Sequence, residues 1–395
     1  MKKIAIINQR YGLEVNGGSE YYTRQIAERL SKYYQVDVIT SKAKDYKTWR
    51  NFYRNEIDII NGVTVRRFDV KKERGFTFRI IDHIIRSFKF HPIWIEKKWV
   101  EEQGPYCPDA IKYLSDHVEE YKAIIFVTYL YYPTAMGLPK FSEKAIFVPT
   151  AHDEPFIYYS IYNEAFQKPK AIIYLTDEEK NFVNGLFRNE CITDCVMGAG
   201  VELPSTVNEK GFREKYKIDG QYVIYVGRVD AAKGCDHMIH YFKQFIQKNS
   251  FDLKLVIIGQ RMMEIEPDPN IICLGFVDEQ DKFDGIKGAN ALLLPSEYES
   301  LSIAVLEALA LGRPVIVNGK CEVLKGHCEK SQAGIAYVDY EGFCSALTTV
   351  LCESAYYEQM SYNAKKYIEE NYCWRNIEEK YCELIEMVAD GSGKE

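Results

Sequence analysis

Apolar residues along the chain fall into short runs, each followed by a stretch in which they recur three or four positions apart. The runs are 4–8 (IAIIN), 36–40 (VDVIT), 123–127 (AIIFV), 145–149 (AIFVP) and 171–175 (AIIYL). After a break come 222–227 (YVIYVG), 253–259 (LKLVIIG), 271–275 (IICLG), 291–296 (ALLLPS) and 314–319 (PVIVNG). Consecutive β-branched and apolar residues over such short lengths are the pattern of strands covered on both faces. Between them, Tyr22, Ile26, Leu30 and Tyr33 follow Ser19 at helical spacing, and Thr176 with Glu179 three residues later is a capping-box start. The alternation predicts an α/β protein with parallel sheets and helices on both sides.

The rhythm pauses over 201–220 (VELPSTVNEKGFREKYKIDG), a polar stretch with Pro and Gly that reads as an interdomain linker. Two doubly wound α/β domains of similar size are expected around it. The tail from Trp374 to about Val388 reads as one long helix. Residues 41–120 carry the weakest pattern.

Length and composition agree with this. A chain of 395 residues suits two or three domains, and 47% apolar with 27% charged residues is ordinary for a globular protein. The net charge of −7 provides no global basic field for nucleic acid, so no nucleic-acid partner is expected, although a local patch stays open. No run approaches the length of a membrane span. The start MKKIAIINQRYG has too short an apolar run for a signal peptide and fits a first strand. Eleven scattered cysteines with no C-x-x-C pair then read as reduced thiols of a cytoplasmic protein. Cys191 with Cys195, and Cys321 with His327 and Cys328, match no zinc spacing, so no metal is expected.

Within 71–98, eight Lys and Arg face three acids (Glu73, Asp82 and Glu96) among Phe, Ile and Trp. One reading is a basic, apolar surface in peripheral contact with an anionic lipid or a lipid-linked acceptor. The other is an amphipathic helix packed on its own domain.

Four segments carry candidate chemistry. Gly17-Gly18-Ser19-Glu20 lies between a strand and a helix, where the backbone can approach a ligand and the helix start favours phosphate. It is equally readable as a loop turn, being neither G-x-G-x-x-G nor a Walker loop. Gly227-Arg228-Val229-Asp230-Ala231-Ala232-Lys233-Gly234 comes directly after a strand. Its two cations stand at the edge where open α/β sheets bind ligands, and would neutralise a diphosphate unless they are merely paired at the surface.

The third segment, 291–316, runs strand, loop, helix, strand. Glu299 and Glu307 are separated by seven residues; on one helix they would differ by about 80° in direction. Glu299 is better placed in the loop and Glu307 inside the helix, with the N–H groups of Leu301, Ser302 and Ile303 at the helix start, facing an anion. Glu307 sits in the apolar run IAVLEALAL, where a carboxylate is costly unless it is bonded or faces a ligand such as a ribose diol. Lastly, PTAHDEPF (149–156) puts His152 at another strand end, as a sugar or phosphate contact or as a structural loop histidine.

Together these segments resemble glycosyltransferase family 4, the retaining enzymes of GT-B fold, over most of the chain. The resemblance implies two Rossmann-like domains facing a cleft. Residues 1–205 would form the acceptor-side domain, 206–373 the nucleotide-sugar domain, and 374–395 a helix returning to the first. It implies that Gly17 and Gly18 touch the donor phosphates, and that Gly227, Arg228, Lys233 and Gly234 form the G-R-x-x-x-x-K-G segment holding the diphosphate. Glu299 would bind the donor sugar, Glu307 the nucleotide ribose, and His152 would lie near the transferred sugar. Many members carry Gly where this chain has Ser302. The implied reaction moves a sugar from a UDP- or GDP-sugar to a hydroxyl with retention, in surface polysaccharide or glycolipid synthesis, without metal or other cofactor.

Other readings remain. A nucleotide-sugar 2-epimerase or a sugar phosphorylase would share the fold. A nicotinamide-dependent oxidoreductase would want a G-x-G-x-x-G fingerprint that this chain lacks. A catalytically silent binding subunit would have no need of Arg228, Lys233, Glu299 and Glu307 together.

Overall fold

The computed structural model describes residues 1–88, 90–249 and 251–391. The chain forms two compact units. Met1–Gly198 with the chain from Arg375 onward make the first, and Ala199–Trp374 the second. Residues 199–205, assigned to the first domain from sequence, fall in the second unit.

The first unit is built on β1 (Lys3–Ile7), β2 (Gln35–Ser41), β3 (Ile57–Ile60), β4 (Val63–Phe68), β5 (Ile124–Val127), β6 (Ala145–Val148), β7 (Ala171–Tyr174) and β8 (Thr193–Val196). Their spatial order is β3-β4-β2-β1-β5-β6-β7-β8, and every pairing is parallel except β3 with β4. Strands β5, β6 and β7 are buried at every position, which is why they read as unbroken apolar runs. The second unit holds β9 (Gln221–Val226), β10 (Leu253–Ile258), β11 (Ile271–Gly275), β12 (Leu292–Leu294), β13 (Val315–Asn318) and β14 (Gly334–Tyr337). Its order is β11-β10-β9-β12-β13-β14, all parallel. Each sheet therefore reverses direction once, between β1 and β5 in the first and between β9 and β12 in the second. Loops leaving such a switch point diverge and open a crevice at the carboxyl edge.

Two expectations are corrected. The stretch 201–220 is not all linker: Glu209–Tyr216 is a helix of the second unit, started by the Asn208 side chain, which accepts the Gly211 N–H. Its single buried apolar residue, Phe212, packs against Tyr222, too sparse an anchor to show as periodicity. The helix after the first strand is Gly18–Leu30, and Tyr33 lies beyond it.

The closing helix, Trp374–Ala389, packs on the first unit. Ile377, Tyr381, Ile385 and Val388 are buried at helical spacing. The Tyr381 hydroxyl meets that of Tyr22 at 2.5 Å. Glu378 accepts from Arg29 Nη1 (3.1 Å), Lys32 Nζ (3.1 Å) and the Tyr33 hydroxyl (3.0 Å). Residues 392–395 of the expected tail lie outside the described residues.

Burial works to raise the Glu378 carboxyl, and the bonds from Arg29, Lys32 and Tyr33 outweigh it, leaving the group below the usual carboxylate range. A depressed carboxylate contributes stability that is present above its unfolded value and is lost as pH falls through the folded one. Glu378→Gln is therefore expected to cost about 1–3 kcal/mol at neutral pH. In urea unfolding at a series of pH values the gap to the native protein should close as the pH drops below about 4. A gap that persists unchanged into acid would contradict this role.

Candidate functional site

In the second unit the chemistry gathers at the switch point. β9 ends at Val226, and Gly227 and Arg228 lead out of it. Asp230 then organises the loop. One carboxylate oxygen accepts the Lys233 N–H at 2.9 Å and starts a short turn over Ala231–Lys233; the other is ion-paired with Arg228 Nε. Gly234 closes the turn with φ of 71°, and a Cβ there would stand 2.6 Å from the Pro295 carbonyl oxygen in the loop after β12. Only glycine allows both that conformation and that approach. The approach brings Lys233 Nζ to 2.7 Å from Glu299 Oε1. Lys233 and Glu299, 66 residues apart, thus join the two loops that flank the switch point.

Beyond Glu299 the chain enters the helix Ile303–Ala310 through Ser302, at φ 67° and ψ 84°. Left-handed backbone favours glycine, so a side chain at this position is tolerated at some conformational cost. The Ser302 side chain does not cap the helix. The first N–H groups of a helix have no intrahelical acceptor, and they carry the positive end of its dipole. Leu301 is buried, and its carbonyl accepts from His327 Nε2 at 2.7 Å, while His327 Nδ1 lies 3.1 Å from the Tyr367 hydroxyl. The carbonyl can only accept, so Nε2 carries the proton. His327 anchors the loop that carries Glu299.

Glu307 is buried within the same helix, and Lys282 Nζ, from the helix Glu279–Gly288, lies 2.5 Å from its Oε1. The carboxylate in an apolar run is thus resolved by a bond to a distant cation. Burial still pushes the Glu307 carboxyl up, with Lys282 pulling against it. The structure brings Arg228, Lys233, Glu299, Leu301, Ser302 and Ile303 to the ends of β9 and β12, and places Glu307 with Lys282.

In the first unit, the loop after β1 is braced from within. Arg10 and Glu20 form a buried pair, with Nη2–Oε1 of 2.5 Å and Nε–Oε1 of 2.8 Å. Gln9 Nε2 adds a third bond to the same oxygen at 2.9 Å. A Cβ on Gly17 would stand 2.1 Å from Glu20 Oε2 and would displace the carboxylate from its place beside Arg10, whereas a Cβ on Gly18 would meet nothing within 4 Å. Gly18 opens the helix Gly18–Leu30.

His152 leaves the same carboxyl edge, after β6. Its loop is held by Glu179, which is fully buried. Glu179 Oε1 accepts the Ala151 N–H at 2.5 Å and Oε2 the Leu175 N–H at 2.6 Å. The capping box is therefore half formed. Thr176 accepts the Glu179 N–H, but the glutamate staples the ends of β6 and β7 instead of returning to Thr176. Burial pushes the Glu179 carboxyl up to about 8 against its two N–H donors. Glu154 lies beside the histidine, 3.5 Å from Nε2, and accepts the Tyr129 hydroxyl at 2.5 Å. Thr128 and Thr150, at the ends of β5 and β6, both have left-handed backbone (φ 70° and 51°), and their hydroxyls lie 3.2 Å apart. This is a rare conformation for β-branched residues.

From sequence, Asp230 and Glu20 stood only within their segments, Glu179 only as a capping-box residue and His327 only against zinc spacing, while Arg10 and Lys282 were not singled out. Among the described residues no group of three or more His, Cys, Asp or Glu is arranged to hold a metal ion.

Residues 208–367 match the family model of glycosyl transferases group 1. An uncharacterised glycosyltransferase of Methanocaldococcus jannaschii is 26% identical over 188 residues, 45% of this chain and 47% of that protein. The alpha-D-kanosaminyltransferase of Streptomyces kanamyceticus is 30% identical over 122 residues, 27% of this chain and 31% of that protein. These matches span half or less of each relative. Among solved structures, sucrose-phosphate synthase from Thermosynechococcus elongatus superposes with a TM-score of 0.72 at 14% identity, over 98% of this chain and 99% of that one. WaaG, a glycosyltransferase involved in lipopolysaccharide biosynthesis, gives 0.66 at 16% identity, over 97% and 99%. Anabaena HepE in complex with UDP and glucose gives 0.70 at 12% identity, over 98% and 100%. The fold is GT-B.

Lys282→Met is expected to strand the Glu307 carboxylate and cost about 3–5 kcal/mol at neutral pH. The deficit should shrink as the medium is acidified and the stranded group takes up a proton. Chemical denaturation of native and variant protein reads this directly, and equal stability at neutral pH would show that the pair does not carry Glu307.

Proposed function

We propose that the chain is a retaining hexosyltransferase that moves a sugar from a UDP- or GDP-sugar to a hydroxyl acceptor, without a metal ion. The observation that carries this reading is the meeting of Lys233 and Glu299 across the switch point, with Arg228 fixed on the same loop. Breaking the glycosidic bond to a nucleoside diphosphate leaves negative charge on the departing phosphate. Two cations and the start of the helix Ile303–Ala310 stabilise such charge electrostatically without rearranging.

In this reading Lys233 and Arg228 engage the diphosphate, and Glu299 accepts hydrogen bonds from the donor sugar. Glu307, already oriented by Lys282, takes the ribose hydroxyls. Gly17 and Gly18 approach the phosphates, and His152 stands near the transferred sugar. Arg228, Lys233, Glu299 and Glu307 all fall within the part of the chain that matches group 1 glycosyl transferases, and HepE is seen with UDP and glucose. The acceptor in this reading is a hydroxyl of a lipid-linked glycan on the cytoplasmic side, in surface polysaccharide or glycolipid synthesis; WaaG, which shares the fold, is involved in lipopolysaccharide biosynthesis.

Purified protein incubated with UDP- and GDP-sugars and a hydroxyl acceptor should yield a retained glycoside and free nucleoside diphosphate, identified by mass spectrometry and NMR. EDTA should leave the rate unchanged. Arg228→Ala and Lys233→Ala should each lower turnover about 10²–10³-fold, the usual effect of removing one preorganised group, while thermal unfolding reports an intact fold. Near-native turnover in folded variants would contradict the assignment, as would a product showing epimerisation or phosphorolysis alone.

A further inference from the structure

The first unit carries a surface that its own fold leaves half covered. The helix Phe76–Ser87 carries one broad apolar face, opposite Arg79, Asp82, His83 and Arg86. Its inner side packs well: Ile85 is buried, Phe78 and Ile81 join the core, and the Phe78 ring lies 6.1 Å from that of Trp99. Its outer side presents Phe76, Ile80 and Ile84 one turn apart, and the chain beyond adds Phe88, Phe90 and Trp94. Exposure runs from 39% for Ile84 to 87% for Phe90. An apolar face this broad is ordinarily buried across its whole width.

The charges on this segment are sorted by sign. Its two acids within 76–98 turn inward. Asp82 accepts from Trp99 Nε1 at 2.9 Å and from Arg86 Nε at 2.8 Å. Glu96 is 2% exposed and accepts the Ile161 N–H at 2.7 Å, with His91 Nδ1 at 3.1 Å. Arg79 and Lys97 are exposed beside the apolar residues, and Arg86 is half exposed. Glu73, ahead of the helix, is exposed near Arg50. Lys89 lies outside the described residues. The outward face is thus apolar and cationic, the composition that settles into the headgroup region of an anionic bilayer: aromatic and aliphatic groups enter the interface while long cations reach the headgroups. A neutral protein partner would cover the apolar groups but supply no counter-charge to Arg79 and Lys97.

The segment that carries this face also packs against the loop that follows His152. The Trp99 ring stacks on Phe156 at 4.9 Å, and the Arg86 guanidinium lies 4.7 Å from the same ring. Phe156 belongs to the turn Pro155–Tyr158, directly after His152 and Glu154.

We propose that the surface formed by Phe76, Ile80, Ile84, Phe88, Phe90 and Trp94 docks the protein on an anionic lipid bilayer, seating the His152 loop beside the membrane. Docking itself stands on the surface alone; its use, delivery of a lipid-linked hydroxyl to the transferase, rests on the function proposed above.

The test is co-sedimentation of the full chain with phosphatidylcholine vesicles and with vesicles that also contain phosphatidylglycerol. The exposed Arg79 and Lys97 predict partitioning about 30-fold stronger into the anionic vesicles; Arg86 is neutralised by Asp82. Phe76→Ser/Phe88→Ser/Trp94→Ser and Arg79→Glu/Lys97→Glu should each reduce it at least about tenfold with unchanged thermal unfolding, since these side chains are exposed. Absence of binding to anionic vesicles, or variants that bind as the native chain does, would overturn the proposal. So would sedimentation velocity showing a dimer that the serine variant dissolves, with no vesicle binding, since the occupant would then be a second copy. Donor hydrolysis in solution should be equal in native and variant protein. Vesicle binding without any donor turnover would count against the transferase reading and leave the docking intact.

Discussion

The ion pair between Lys233 and Glu299 is the contact on which the second unit's site depends. Both residues sit on loops that leave neighbouring strands, β9 and β12, at the place where the strand order reverses. Such loops diverge, and nothing in the sheet itself holds them together. Three features close the gap. Asp230 folds the first loop into a turn, Gly234 lets that turn lie against the Pro295 carbonyl, and the ammonium–carboxylate contact joins the tips. The residues that would hold a diphosphate are therefore prepared by interactions within one unit.

Buried or half-buried carboxylates recur as the fastening device of this protein, each with a different partner. Glu20 is held by Arg10 and Gln9, Glu307 by Lys282, Glu179 by two backbone N–H groups and Glu378 by three side chains of the first unit. Isolated buried charge is costly, and these groups are stable in place because each is paired or multiply hydrogen-bonded. Three of them lie at the candidate site or hold a loop that carries it, and the fourth fixes the returning helix.

Most strands legible in the sequence are buried on both faces, because burial leaves an unbroken apolar run; the edge strand β11 (IICLG) was legible as an apolar run although it is partly exposed. Those missed lie toward the sheet edges and are partly exposed: β8 (TDCV), β14 (GIAY) and the β3–β4 hairpin. The hairpin did carry a signal, Asn61-Gly62 between Ile60 and Val63, and both turn residues adopt positive φ. Residues 41–120 otherwise interleave exposed apolar and basic positions, and part of the helical spacing there, that of Phe76, Ile80 and Ile84, lies on an exposed face. At the site, the loops after β9 and β12 were legible because each is a local segment of distinctive composition. Their supports were not. Lys282 stands 25 residues from Glu307, His327 is 26 from Leu301, and Ala151 is 28 from Glu179. Local periodicity carries no trace of such pairings.

The central claim is that Lys233 and Arg228 form a binding site for a nucleoside diphosphate, and calorimetric titration of UDP and GDP into the purified protein measures it most directly. The account predicts saturable binding of one of the two. Lys233→Ala and Arg228→Ala should each weaken it about ten- to a hundredfold, the worth of one charge-assisted hydrogen bond. Nucleotide bound equally well by the native protein and both folded variants would contradict it.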